Sequence, residues 1–318
     1  MDDQDASQRD RHGDTVKGRR GENKTRGLGD TEKRRIPRVP ASPHLRVSAS
    51  KFFDRVFKEP EFVNMTYNSL NEFGFNADNT IACVGVCRDE ISQSLIEEVN
   101  KKWGYVFNLA SLAGMFFAGK TGLMAAMQHS PIADDKERYV FYSFPHIAID
   151  AEGRIGVCKR QGRDGDSIAC GALNAFQKEL SLKVEQLKVE KLTIQPFNLQ
   201  PSTLNIDMDD IEYSLIKMRL LKELGSMLNG EKLKVKKPST FNLQPSTFKI
   251  PDLLELTKIT QKAIQTDLES ALKTIVDINK SDYAVITGIQ IHGHDGNYIS
   301  PASCYAVVNG KKIQLKVE

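Results

Sequence analysis

The sequence lacks any long hydrophobic run, and none of its stretches approaches the roughly 18 consecutive apolar residues of a membrane-spanning helix. It also lacks a marked excess of either charge, because 44 Lys and Arg residues face 41 Asp and Glu residues, for a formal net charge of +3. Binding to nucleic acid depends largely on basic charge, and this excess is small. We therefore expect no membrane span and no nucleic-acid partner.

Cysteine is scarce as well. The five cysteines are an odd number, and no apolar segment near the start resembles a secretory signal. This combination is typical of a reducing compartment, in which thiols stay free or bind a metal. Three of the five lie in apolar strand patterns and are expected in the core: Cys83, Cys158 and Cys304.

Aromatic and aliphatic residues are nearly missing from the first 45 residues, which are rich in both charges. Such a segment cannot bury enough apolar surface to offset the entropy that it loses on ordering. We expect a disordered charged tail over residues 1–47, for which a basic nucleic-acid arm is the alternative interpretation. A folded domain is expected over residues 48–318.

Strand and helix patterns alternate along this domain. Two helical patterns come first, "SASKFFDRVFKE" and "FVNMTYNSLNEFGF". Buried strands are indicated by "TIACVGVC", "RYVFYSFPHIAID", "YAVITGIQIHG" and "CYAVVNGKKIQL", and several are separated by helical patterns such as "DEISQSLIEEVNKKWG". The alternation predicts an α/β fold with a mainly parallel central sheet flanked by helices. In such sheets, ligands bind beyond the carboxyl ends of the strands.

An internal repeat interrupts the second half of the sequence. The segment "FNLQPST" occurs identically at Phe197–Thr203 and at Phe241–Thr247. The sequence between the two copies does not repeat, which argues against a solenoid. We interpret the copies as inserted repetitive elements and not as structural units.

The segment "GMFFAGKT", Gly114–Thr121, matches the phosphate-binding pattern G-x-x-x-x-G-K-T between a predicted strand and a predicted helix. A phosphate cradle needs a tightly wound backbone whose amides point inward, and small residues suit it better than Met-Phe-Phe-Ala. We therefore interpret this segment as a packing loop. Nucleotide binding through Lys120 and Thr121 is a distant alternative.

Three potential metal ligands are predicted at one edge of the sheet. Cys87 ends an apolar strand, His146 follows Pro145 late in another, and Cys170 begins a helix. Two thiolates and one imidazole suit zinc, and three protein ligands leave a fourth position for water, as in catalytic sites. The start of a helix also favours the thiolate form of Cys170. Each residue alone is more typical of a core position, but their common location favours a zinc site.

Several separate motifs resemble the limiting-CO2-inducible B/C family, which is similar to β-carbonic anhydrases. They occur in order along the chain: "CRDE", "FPHIAID", "GVCKRQGRDGDSIACGAL", "DMDDIEYSLIKMRL", "LTKITQKAI" and "GIQIHG". The resemblance implies a β-carbonic-anhydrase-like α/β fold, zinc held by Cys87, His146 and Cys170, and dimers. It also implies a role in inorganic-carbon handling in a photosynthetic organism or similar microbe. Compared with the family, the repeat copies belong to insertions at about residues 182–204 and 232–248.

Asp89 lies two residues after Cys87, on the same side of an extended chain. There it could accept a hydrogen bond from the zinc-bound water. Ordinary β-carbonic anhydrases carry C-x-D-x-R, in which the arginine orients the aspartate, whereas this chain has Ile91 at that position. Asp89 and Arg88 are the predicted catalytic residues, and Arg160 and Arg163 are the other candidates for orienting Asp89.

The predicted function is that of a zinc-dependent carbonic anhydrase that interconverts carbon dioxide and bicarbonate. We expect a homodimer or a higher oligomer in the cytoplasm, or in the plastid stroma if the chain is from an alga. Because of Ile91, a non-catalytic zinc-binding homologue in carbon-uptake assemblies is the alternative. His292 and His294 offer a further metal pair, for which an ordinary strand-end turn is the favoured interpretation.

Overall fold

The computed structural model describes residues 49–189, 206–232 and 249–317. The predicted tail and most of both predicted insertions lie outside these ranges. Residues 182–189 lie inside them and continue a helix, in which Val184 is buried.

One mixed sheet organises the described residues. Nine strands form it: β1 (Phe57–Lys58), β2 (Ile81–Gly85), β3 (Val106–Asn108), β4 (Ile132–Ala133), β5 (Lys136–Ser143), β6 (His146–Ile149), β9 (Ser281–Gly293), β10 (Gly296–Val308) and β11 (Lys311–Gln314). The order is β1-β10-β9-β5-β2-β3, with β11 on β10, β4 on β5 and β6 on β9. The central pairings β9–β5, β5–β2 and β2–β3 are parallel. A small hairpin stands apart from this sheet and comprises β7 (Val157–Cys158) and β8 (Ser167–Ile168).

Helices cover the sheet. They are α1 (Glu59–Asn71), α2 (Gln93–Trp103), α3 (Gly119–Met127), α4 (Gly171–Val189), α5 (Ile211–Lys232) and α6 (Leu253–Ile275). The first turn of α6 is closed by a capping box, in which Asp252 accepts from the Glu255 amide and Glu255 accepts from the Asp252 amide. Such reciprocal bonds satisfy two amides that a helix start leaves free.

The two faces of β2 explain why its sequence is apolar throughout. Ala82 and Val84 pack in a cluster with residues of α1 and α2, including Phe62 and Trp103. Cys83 lies in a different cluster, formed with residues of α3 and α6. A parallel strand that is covered on both faces has no position for a polar side chain. These observations confirm the predicted α/β class with a mainly parallel sheet flanked by helices.

The predicted helix at the start of the domain is wrong. The Ala49 carbonyl accepts from the amides of Phe52 and Phe53 in one turn, and the chain then extends into β1. Phe53 is buried in the core, and Phe57 pairs with Ile299 of β10. Tertiary packing and edge pairing thus override the helical pattern, because a continuous helix could not pair with β10.

Two predicted single strands are in fact each divided. "CYAVVNGKKIQL" turns at Asn309 and Gly310, both with positive φ, and becomes the end of β10 and β11. "RYVFYSFPHIAID" breaks at Phe144–Pro145 into β5 and β6, which both run along β9. Proline has no amide hydrogen to continue a ladder. This second break matters for the site, because it precedes His146.

Gly288 of β9 lies so close to the backbone of β10 that there is no room for a side chain. A Cβ atom there would lie 2.2 Å from the Ser300 carbonyl oxygen and 2.9 Å from the Pro301 Cα. We expect Gly288→Ala to destabilise the metal-free protein by roughly 1–3 kcal/mol, as overpacking usually does. Gly171→Ala is the control, since no atom lies within 4 Å of its Cβ position. Urea unfolding measures the stability of both variants. Equal unfolding midpoints for Gly288→Ala and Gly171→Ala would contradict the expectation.

Candidate metal centre

Cys87 occupies the carboxyl edge of the sheet just beyond β2. The strand ends at Gly85, but parallel pairing continues for a further step, because Cys87 forms a bridge with Ser111. The Arg88 amide donates to the Ser111 carbonyl at 3.1 Å. These backbone contacts hold the loop against the edge and keep Cys87 buried.

His146 is the first residue of β6 and is completely buried. Two backbone bonds fix the break before it. The Phe144 amide donates to the Gly85 carbonyl, and the Gln290 amide donates to the Pro145 carbonyl, both at 2.9 Å. His146 is therefore placed by the two strands that flank β5 and β6.

Cys170 immediately precedes α4 and is also buried. The amides of Ala172 and Leu173 hydrogen-bond to its sulfur and favour the thiolate. Donors at the start of a helix favour negative charge in this way. In the metal-free cluster this effect is outweighed by the hydrogen bond to Cys87 and by burial, which together raise the pKa of Cys170.

The structure brings the three predicted ligands together. One ligand atom from each of Cys87, His146 and Cys170 lies within 4.8 Å of the others. His146 Nε2 is buried and has no hydrogen-bond partner among the described residues. Buried polar atoms seldom lack a partner, and a metal ion is one explanation when they do. Two sulfurs and one imidazole nitrogen are a donor set that fits zinc.

The two thiols share a proton. A hydrogen bond from Cys170 lowers the pKa of the Cys87 thiol, and the same bond, together with burial, raises the pKa of Cys170 well above its usual value. At neutral pH one sulfur is therefore a thiolate and the other holds the proton. A divalent cation between them would displace this proton, because metals bind the thiolate.

Asp89 borders the cluster, with its Oδ2 atom 3.9 Å from His146 Nε2. Arg160 binds its carboxylate with both terminal nitrogens, Nη1 to Oδ1 at 2.6 Å and Nη2 to Oδ2 at 2.7 Å. Burial alone would raise the pKa of Asp89, but the hydrogen bonds from Arg160 and the neighbouring charges lower it to about 2. Asp89 is thus ionised and held in one orientation.

Of the three arginines that were candidates for orienting Asp89, Arg160 is the one that contacts its carboxylate. Arg160 also donates to the Ile168 carbonyl and contacts Glu90. The Arg88 side chain turns away, with Nη2 2.7 Å from Glu212 Oε1 on α5. Arg163 is exposed in the loop between β7 and β8.

Ile91, at the position of the missing arginine, lines a cavity of about 460 Å³. Other apolar side chains of this cavity include Ile149 and Val157, and His292 lies at its wall. An isoleucine suits this partly apolar wall, and the guanidinium that contacts Asp89 comes from Arg160 instead.

His292 is buried and contacts His146 at Nδ1, the ring nitrogen other than the candidate ligand atom Nε2. Its Nε2 atom is 3.0 Å from His146 Nδ1, and its Nδ1 atom is 2.9 Å from Asn297 Oδ1. Burial lowers the pKa of His292 to about 3, and the neighbouring His146 adds to this effect. His292 is therefore neutral and contacts a candidate ligand, whereas His294 is exposed in the following turn.

The polar contacts of His292 continue away from the cluster through residues that the sequence patterns did not single out. Asn297 Nδ2 donates to Ser94 Oγ at 2.7 Å, and Ser94 Oγ donates to Glu59 Oε2 at 2.7 Å. Gln290 Nε2 donates to Glu59 Oε1 at 2.6 Å. Glu59 is buried at the start of α1, where burial raises its pKa to about 7.

The phosphate-loop pattern has a packing explanation. A Cβ atom on Gly114 would lie 2.5 Å from the Phe144 carbonyl oxygen and 3.3 Å from the Cys87 amide nitrogen. Gly114 has φ +68°, and Met115 after it is buried. The glycine therefore lets the loop pack against the segments that carry the cluster, which favours the packing interpretation.

The remaining cysteines differ in their surroundings. Cys83 and Cys304 are buried as predicted, and burial raises the pKa of each thiol to about 12. The core prediction is wrong for Cys158, which is only half-buried on β7, because that small hairpin lies outside the main sheet. All five cysteines are free thiols.

Comparisons with known proteins agree with this architecture. The model of the family "Limiting CO2-inducible proteins B/C beta carbonic anhydrases" matches residues 56–308. The crystal structure of limiting CO2-inducible protein LCIB superposes on this chain with a TM-score of 0.62 and 33% sequence identity. The aligned region covers 85% of this chain and 99% of the LCIB chain. A comparison with curated proteins found no significant match.

A more distant structure shares the fold. PtLCIB4, a homolog of LCIB, is 18% identical, covers 86% of this chain and 100% of its own, and gives a TM-score of 0.63. The fold and the Cys-His-Cys cluster define a β-carbonic-anhydrase-like protein. The chain belongs to the limiting CO2-inducible B/C family, as its motifs predicted.

None of the helices in the described ranges is long and apolar enough to cross a membrane.

Proposed function

We propose that the protein is a zinc-dependent carbonic anhydrase that catalyses the reversible hydration of carbon dioxide to bicarbonate. The observation that carries this proposal is the convergence of Cys87, His146 and Cys170 beside an aspartate whose orientation an arginine fixes. Family membership supports it.

Cys87, His146 and Cys170 would hold the zinc, and the unpartnered Nε2 atom of His146 fits the role of nitrogen ligand. When bound there, zinc would supply a nucleophilic water by lowering its pKa to about 7. Three protein ligands would leave a position for water or substrate, as is usual in catalytic zinc sites. The site is thus suited to an attack by water on a small neutral molecule.

Asp89 orients the reacting water in this proposal. An ionised carboxylate can only accept hydrogen bonds. Because Oδ2 lies 3.9 Å from His146 Nε2, Asp89 borders the space that the three ligands enclose. It accepts the hydrogen of the water and thereby keeps an oxygen lone pair free for the carbon atom. The low pKa of Asp89 keeps it ionised, so this preference holds across the neutral range.

Arg160 keeps Asp89 in place. Two parallel N–H···O bonds fix both the position and the plane of a carboxylate. The side chains of Arg160 and Asp89 are 16% and 11% exposed, so solvent screens their pairing less than it screens a surface pair. In this proposal, Arg160 takes the orienting role of the arginine in C-x-D-x-R, whose position Ile91 occupies in this chain.

The cellular setting follows the family. We propose a homodimer or higher oligomer that handles inorganic carbon, in the cytoplasm or, in an alga, the plastid stroma. The five free thiols suit a reducing compartment. The alternative of a non-catalytic zinc-binding homologue has the same fold and cluster, and turnover by the pure protein separates the two.

The first test separates the ligand role from the orienting role. We expect Cys87→Ser to lose zinc, because two protein ligands remain, whereas Cys158→Ser keeps it. Asp89→Asn retains stoichiometric zinc but loses at least roughly tenfold in hydration rate, about 1.4 kcal/mol in the barrier, because its amide can donate as well as accept. Metal analysis and stopped-flow hydration of carbon dioxide measure these effects.

Full zinc in Cys87→Ser would contradict the ligand assignment. Unchanged turnover in Asp89→Asn would remove the orienting role. A zinc-loaded but inactive parent protein would favour the non-catalytic homologue.

The second test compares two arginines near the cluster. We expect Arg160→Gln to lower kcat by roughly tenfold or more, because Asp89 loses its bidentate partner, and to leave zinc content intact. Arg88→Gln is the matched control, since Arg88 pairs with Glu212, and we expect less than a twofold change. Stopped-flow hydration of the zinc-loaded variants measures both. A larger loss in Arg88→Gln than in Arg160→Gln would reverse the assignment.

A further inference from the structure

A line of buried and half-buried polar side chains connects His146 to Glu59. It runs through His292, Asn297 and Ser94, and each successive pair of atoms is 2.7–3.0 Å apart. We name these residues the Glu59 chain: Glu59, Ser94, Asn297, His292 and His146. They come from α1, α2, β10, β9 and β6, so five separate elements contribute to one continuous line.

The hydrogen-bond roles along the line have one consistent direction. At its far end, Ser94 donates to Glu59, whose carboxylate is ionised above its pKa of about 7 and can then only accept. The Ser94 oxygen then accepts from the Asn297 amide nitrogen, which turns the Asn297 oxygen towards His292. His292 Nδ1 must therefore carry a hydrogen.

The same direction extends to the metal cluster. A neutral imidazole with a hydrogen on Nδ1 has an acceptor at Nε2. His292 Nε2 therefore accepts from His146 Nδ1, which places the hydrogen of His146 on Nδ1. His146 Nε2 is left with a free lone pair, and this is the buried atom without a partner in the cluster.

We infer that the Glu59 chain is a positioning device that sets the tautomer of His146, so that its Nε2 atom presents a lone pair to the cation. This inference rests on the metal site of the proposed function. Glu59, Ser94, Asn297 and His292 are positioning residues, because they act on the cation through His146.

Burial explains why a remote carboxylate can have this effect. Glu59 is 2% exposed, and Gln290 holds its second oxygen at 2.6 Å. A buried charge costs stability unless it is paired as well as hydrogen-bonded, and Ser94 and Gln290, which donate to Glu59, are both neutral, so packing alone explains the arrangement poorly. Outer partners of a metal-bound histidine commonly change metal affinity by about 10- to 100-fold.

The test uses the full chain at pH 8, where Glu59 is ionised. Zinc dissociation constants come from competition with a chromophoric chelator. We expect Glu59→Gln, which permits either direction along the chain, and Ser94→Ala, which breaks it, each to weaken zinc binding about tenfold. Glu61→Gln, an exposed acid in the same helical turn, and Ser181→Ala, whose hydroxyl bonds within α4, are the matched controls. We expect these to stay within twofold of the parent protein.

The second readout is the tautomer itself, which a purely structural role would not change. Long-range nitrogen–proton NMR spectra of metal-free, histidine-labelled protein report which ring nitrogen carries the hydrogen. We expect His146 and His292 in the Nδ1–H form, and a measurable Nε2–H population for His146 in Glu59→Gln and Ser94→Ala.

Two results would overturn the inference. One is His146 in the Nε2–H form in the parent protein, a measurement that no variant needs to survive. The other is parental zinc affinity in a folded Glu59→Gln variant. If the parent protein binds no zinc, the proposed function fails, but the tautomer spectra still decide the inference. If it binds zinc without hydrating carbon dioxide, only the catalytic proposal fails.

Discussion

The parallel pairing of β5 and β6 with one continuous strand, β9, is the constraint on which the site depends. β5 pairs with Ser281–Thr287 and β6 with Gln290–Gly293, so the chain must break between them without leaving the sheet. The break at Phe144–Pro145 is held by the Gly85 carbonyl on one side and the Gln290 amide on the other. His146 is therefore placed by backbone bonds, which side-chain substitutions leave in place.

Other parts of the fold are shaped around the same break. Gly114 packs on the Phe144 carbonyl, and a Cβ atom on Gly288 would meet the Phe144 ring at 3.1 Å as well as the neighbouring strand. Because both glycines leave room where backbone segments meet, the loop after β3 and the β9–β10 ladder can approach Phe144 closely. Cys87 and Cys170 then reach His146 from two further elements.

The convergence of Cys87, His146 and Cys170 could be predicted from the sequence, because the signals that mark these residues are local. A thiol after an apolar strand, a histidine after a strand proline and a thiol at a helix start are each visible in a short window. The α/β class followed in the same way from alternating patterns. The family motifs added the expected metal and reaction, and the fold and family are confirmed.

Other features depend on contacts that no short window contains. Arg160 reaches Asp89 from the β7–β8 hairpin, across 71 positions of sequence, and charge alone did not distinguish it from Arg88 or Arg163. Glu59 resembled an ordinary acid at a helix start, and it joins the site only through side chains from other elements. The helical pattern that includes Phe53 failed for the same reason, since pairing with β10 decided its conformation.

The origin of Arg160 has a consequence for how the site is stabilised. An arginine at position 91 would have been fixed by the same loop as Asp89, whereas Arg160 is fixed by a separate hairpin. Within the hairpin segment, Asp166 forms ion pairs with Arg154, Oδ2 to Nη1 at 2.8 Å, and with Lys159, Oδ1 to Nζ at 2.6 Å. Both cationic side chains are more than half exposed, so each pair contributes little to stability. The bonds from Arg160 to Asp89 are better shielded, since these two side chains are 16% and 11% exposed, and Arg160 also donates to the Ile168 carbonyl of the hairpin. The carboxylate therefore helps to anchor the hairpin that positions its own arginine, and orientation of Asp89 and order in the hairpin depend on each other.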